Sequence, residues 1–239
     1  DQKTGPRLQA AILTVLRNYG NLIAVAAREV LIEKKQFDEL ADLINSAVIL
    51  ERAPVLTLKA ELRKIYIRLY QQMTELTLRA IEASAGQSSV DSGVIFRHLE
   101  MAAQERVNLL DAPSTDAVIE ALQHARKAGF SEEEMVRYLQ EKIPAGRYLT
   151  VETRAVQMAR TESRYASNLA TAEYARQGGT RLLVFDAALG VSDQPCMERN
   201  GWIVTPSQAL TLSGIEHPIG TLGFAPVAEA TIQVGGATV

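Results

Sequence analysis

The chain has 239 residues but only one cysteine, one tryptophan and three histidines, and aromatics make up 5% of it. A lone thiol, Cys196, excludes an intramolecular disulfide framework and any site built from several thiolates. No long hydrophobic run stands out. The most apolar stretch near the start, 21–27, is followed by Arg28 and Glu29, whereas a membrane span needs about 20 apolar residues. No membrane partner is therefore expected. No charged start, apolar run and small-residue cleavage site occur in order, so export by a signal peptide is not expected either. The chain begins at Asp1 rather than methionine, which leaves a trimmed terminus that carried such a segment open. Charge of one sign is also scarce. A net charge of -3 excludes a uniformly basic nucleic-acid coat but leaves room for a local basic surface.

What is present is apolar bulk, at 47% hydrophobic and 22% charged residues, which excludes disorder over the whole chain. At this length the chain can bury most of its apolar surface without disulfides or metals. The charge is unevenly distributed. Residues 86–146 and 182–239 are acidic, while all the basic residues of 147–181 are arginines: Arg147, Arg154, Arg160, Arg164, Arg176 and Arg181. Arginine presents a planar fork of donors that suits phosphate and carboxylate. The plainer reading is a solvated helix with structural ion pairs.

The first half reads as helix. Pro6 suits a first turn, and a helix is predicted over 7–35 with a break or kink at Gly20-Asn21. Residues 36–50 form a second helix that stops before Pro54. A long third helix spans 56–83, with Leu58, Leu62, Ile65, Leu69, Met73, Leu76 and Ala80 on one stripe. Beside that stripe stand Lys59, Arg63, Tyr66 and Tyr70. Either they track a nucleic-acid backbone and its bases or, as the simpler alternative, the tyrosines pack at the edge of the core and the cations stay in water. A small polar linker lies near 85–93, and helices follow over about 94–109 and 117–128, the second closed by Gly129. Ser131 with Glu134 makes a capping box for the next helix, whose acidic first turn suits the helix dipole and needs no catalytic role. Ile143-Pro144-Ala145-Gly146 ends it and marks the expected domain boundary.

Residues 150–177 make a strong helix closed by Gly178-Gly179. One face carries Ala155, Met158, Glu162, Tyr165, Leu169 and Ala172, and another carries Thr153, Gln157, Arg160, Arg164, Asn168 and Thr171. A carboxylate on the apolar face needs a cation or amide donors, so Glu162 is expected to make a buried orienting contact, with Arg160 or a backbone amide as partner. Strands are predicted at 181–186 and 202–204, loops at 187–201 and 213–220, and short β-prone pieces around Phe224, Pro226 and Val227. The expected class is α+β: a helix-rich N-terminal half (1–146), then a small C-terminal module (147–239) of one long helix plus short β-strands and loops.

Met158-Ala159-Arg160-Thr161-Glu162 followed by Asn168, then Val184-Phe185, Asp193-Gln194-Pro195-Cys196, Asn200-Gly201, His217-Pro218 and Pro226-Val227 form an ordered set. In order and spacing it resembles the Mu F-like minor head proteins, or head morphogenesis proteins, of tailed bacteriophages. The resemblance covers roughly 147–228. It implies that Arg160, Thr161, Glu162, Asn168, Asp193, Cys196, Gly201, His217 and Pro218 are motif positions. It further implies a virion component, at the capsid interior or portal vertex and in the host cytoplasm during assembly, present in multiple copies. Its partners would be the portal, capsid and scaffold proteins. Double-stranded DNA would be contacted without sequence preference, with Arg154, Arg160, Arg164 and Arg176 as the candidate phosphate contacts. This chain departs from the family where many members carry a C-x-C after His-Pro; here Gly220 and Leu222 stand in those places. Cys196 and His217 alone do not make a four-ligand zinc site, and no metal or cofactor is expected.

Enzymatic readings find little footing. A Cys196–His217 nucleophile pair is conceivable, but nothing in the sequence around Cys196 would lower its pKa. No glycine-rich phosphate loop, H-E-x-x-H, G-x-S-x-G or paired-carboxylate pattern occurs. The expectation is a non-enzymatic head protein. The alternatives are a protein-binding helical adaptor that never touches DNA and, further behind, a metal- or cysteine-dependent enzyme.

Overall fold

A computed structural model of the chain describes residues 4–33, 39–85, 90–109, 113–186, 194–213 and 222–227. It is mostly helical, with a small three-stranded antiparallel sheet near the C-terminal end. The chain groups into two compact units, one of residues 1–65 and 105–159, the other of 66–104 and 160–239. Each unit thus draws on two stretches of sequence, and the first takes residues from both sides of position 146.

In the first unit, α1 (Thr4–Arg28) runs into a π-helical turn (Glu29–Glu33). It is followed by α2 (Glu39–Arg52) and the start of α3 (Val55–Ala85). The unit resumes with the end of α4 (Ser92–Asn108), α5 (Thr115–Lys127), α6 (Glu132–Ala145) and the start of α7 (Val151–Gly178). Leu8, Ile12, Leu16, Tyr19, Ile23, Ala27 and Val30 recur every three or four residues, and all are buried. By length and composition 5–32 could cross a membrane, contrary to the sequence expectation that no segment could. In this unit the helix packs against α6 and α2. The predicted break at Gly20 is absent: α1 is continuous through it, and a change of helix type falls at 29–33 instead. Gly20 is there for proximity, since a Cβ would collide with the carbonyl oxygen of Gln140 in α6. That carbonyl has lost its helical donor, because residue 144 is proline. Asn21 and Gln140 then join the two helices side chain to side chain at 2.8 Å.

The helix ends follow local chemistry. Ser114 caps α5 by accepting from the Ala117 amide, and the Ser131–Glu134 capping box forms as predicted. At the other end of α5, Gly129 (φ 73°) donates to Arg126 and Phe130 to Ala125, a Schellman closure. Arg126 also reaches the buried carboxylate of Asp42, tying α5 to α2.

The second unit contains the remainder of α3, α4 and α7. After them come β1 (Arg181–Asp186), α8 (Gln194–Arg199), β2 (Ile203–Val204), α9 (Pro206–Ser213) and β3 (Leu222–Val227). Helix α8 corrects the expectation of loop throughout 187–201. Strand β1 lies in the middle, antiparallel to both neighbours, in the order β2-β1-β3. It alternates strictly, with Leu182 and Val184 inward and Leu183 and Phe185 outward. Val184 exchanges backbone bonds with the β2 side, accepting from Gly201 and donating to Trp202. By the antiparallel alternation, Leu182 also points its backbone groups that way. Pro226, paired with Leu182, therefore turns its missing N–H to the open edge, where a proline is tolerated.

The buried line of α3 differs from the predicted one. Leu58, Leu62, Tyr66, Leu69, Tyr70, Thr74 and Ile81 are buried, whereas Ala80 is exposed and Ile65, Met73 and Leu76 are half-buried. The tyrosines take the central positions because each supplies more apolar area than its neighbours.

Candidate functional site

The second half of α7 is the centre of the second unit. From Asn168 to Ala175 every side chain is buried. Ala170, Ala172 and Ala175 are small enough to let neighbours close in on several sides. A helix enclosed in this way cannot keep a polar face in water, so its buried Glu162, Asn168 and Glu173 find protein partners.

Glu162 is buried and accepts a 2.5 Å hydrogen bond from the Tyr70 hydroxyl of α3. The buried contact predicted for it is present, with one donor a tyrosine 92 residues away, while Arg160 is exposed. Tyr70 stacks on Tyr66, ring centroids 6.2 Å apart and planes 6° apart, and meets Tyr165 at 6.0 Å. The aromatic residues beside the α3 stripe are thus core residues, deeper than the edge position expected of them, while Arg63 is exposed. Tyr66 and Tyr70 are inaccessible, and Lys59 donates to the Asn108 carbonyl at 3.1 Å.

One turn beyond Glu162 and further along α7, Thr77 of α3 meets Ser167 at 3.3 Å. Asn168 donates 3.0 Å to the Leu222 carbonyl, holding the first residue of β3. Glu173 is a second buried carboxylate, 2.9 Å from Arg176 Nε and 3.2 Å from His98 Nδ1 of α4. Gln177 brackets Asp91, accepting from its amide at 2.7 Å and donating to its carbonyl.

Cys196 belongs to the core under the sheet. Ala172, Ala175, Leu182, Val184, Cys196, Val204, Ala209, Leu222 and Phe224 form one buried cluster, so α7 and the cysteine-bearing α8 share it. Arg164 is half-buried beside this core. Burial pulls its pKa below the ordinary value, and the charge of Asp186 acts in the opposite direction. Gly201 has φ 89°, a conformation that favours glycine, and donates 2.8 Å to the Val184 carbonyl. Its neighbour Asn200 accepts from the Asp186 amide at 3.0 Å.

Arg154 falls in the first unit. It is 3% exposed and donates 2.7 Å to the Pro144 carbonyl, serving the C-terminal end of α6. It also faces Tyr19, whose pKa burial pushes up to about 12 against the pull of that guanidinium. Of the four candidate phosphate contacts, Arg154 is directed into protein, Arg176 is tied to Glu173 and Arg164 stands by Asp186. Arg160 is exposed and has no ion pair among the described residues. Thr161 is half-buried. Asp193, His217 and Pro218 lie outside the described residues. Among those described, no group of three or more His, Cys, Asp or Glu is placed to hold a metal ion.

The pairings of Tyr70 with Glu162, His98 with Glu173 and Asp186 with Asn200 are what sequence reasoning missed. The signal for Tyr70 was its place on a helical face, which says nothing of which helix it meets. Comparison with family models, curated proteins and solved structures gives no match.

Proposed function

We propose that this chain is a non-enzymatic minor head protein of a tailed bacteriophage. In this reading it is held in several copies at the portal vertex or inside the capsid, and contributes to head assembly and to handling packaged DNA. Residues 147–239 would be the Mu F-like module, one long helix with short strands and loops. The supporting observation is that four of the motif positions among the described residues have fixed partners or packing inside one unit. Glu162 takes the Tyr70 hydroxyl, Asn168 holds β3, Cys196 packs under β1, and Gly201 binds Val184. Residues this far apart in sequence thus share one folded unit, as a single module would require.

The portal is the first partner to test. Intact chain mixed with portal rings should co-migrate with them in a sedimentation gradient, and failure to do so sinks the head-protein reading. For DNA, the phosphate contact rests on Arg160. Arg160→Ala should weaken retention of duplexes of any sequence alike and reduce the salt slope by about 0.9 for each phosphate no longer neutralised. Because Arg160 is exposed and unpaired among the described residues, the same variant should unfold within about 0.5 kcal/mol of the parent.

A second reading, the helical adaptor that binds only protein, draws on the arginines already engaged: Arg154 with Pro144 and Arg176 with Glu173. Portal binding with no salt-dependent retention of DNA on a filter would favour it.

A further inference from the structure

We draw no further inference here: the strongest candidate, the outward apolar face of the three-stranded sheet bearing Leu183, Phe185, Ile203 and Ala225, is partly exposed, and nothing in the structure shows what covers it.

Discussion

The buried pair Tyr70 and Glu162 joins two helices, α3 and α7, through one short hydrogen bond. Removing the hydroxyl leaves a buried carboxylate short of a donor, while removing the charge leaves a hydroxyl facing an amide. Tyr70→Phe and Glu162→Gln should therefore each destabilise, and the double variant should lose less than their sum. Urea denaturation should give a coupling of about 0.5–3 kcal/mol, and strict additivity would mean that the bond contributes nothing. Tyr19 offers a test with pH. Its hydroxyl donates 2.9 Å to the Ala53 carbonyl from a buried position, and its pKa is raised from 10.0 to about 12. Folding thus favours the protonated form. The stability from that preference is fully present below pH 10 and lost as the pH rises towards 12. The loss is on the order of 2–3 kcal/mol. Tyr19→Phe should start lower for want of the hydrogen bond, yet fall less steeply across the same alkaline range.

For elements, the decisive feature is how closely two of them approach. Helix α1 meets α6 at Gly20, where the Gln140 backbone carbonyl fills the space of a side chain. Gly20→Ala gains helix propensity but forces the helices apart, for a net loss of about 1–3 kcal/mol in urea denaturation. Gly5, also in α1, has nothing within 4 Å of its Cβ position, so Gly5→Ala should be neutral or slightly stabilising. An equal effect at both sites would show that the close approach is unimportant. Strand β3 depends in the same way on α7, through Asn168 and the Leu222 carbonyl. Asn168→Leu keeps the bulk and drops the donor. Amide exchange should quicken in β3 well before it changes in α5, which belongs to the other unit.

Over the whole molecule, each compact unit is assembled from two separated stretches. A fragment of residues 147–239 carries the family motif but lacks Tyr70, Asp91 and His98, the partners of Glu162, Gln177 and Glu173. With the Tyr70 bond to Glu162 and the His98 contact of Glu173 both gone, that fragment should show weak helical circular dichroism and no cooperative urea transition. A fragment of 66–239 supplies those partners and should recover one. If 147–239 folds cooperatively alone, the contacts from α3 and α4 are dispensable. For the same reason, deleting residues 1–85 to map portal binding would damage the second unit as well as the first.

Local signals in the sequence were enough to place α3, α5, α6, α7 and β1 nearly to the residue. Their evidence lies within a few positions: the Ser131–Glu134 box, Gly129, the alternation of 181–186. The short α8 was missed because six residues carry no helical period. The burial of Glu162 was legible from its apolar neighbours, and its partner was not. Periodicity tells which face of a helix turns inward but not what waits there. Only the tertiary structure decided that Tyr70 meets Glu162, that Arg154 lies beneath Pro144, and that Gly20 lets the Gln140 carbonyl approach. Each of these depends on which distant segments share a core, a choice made by packing the whole chain.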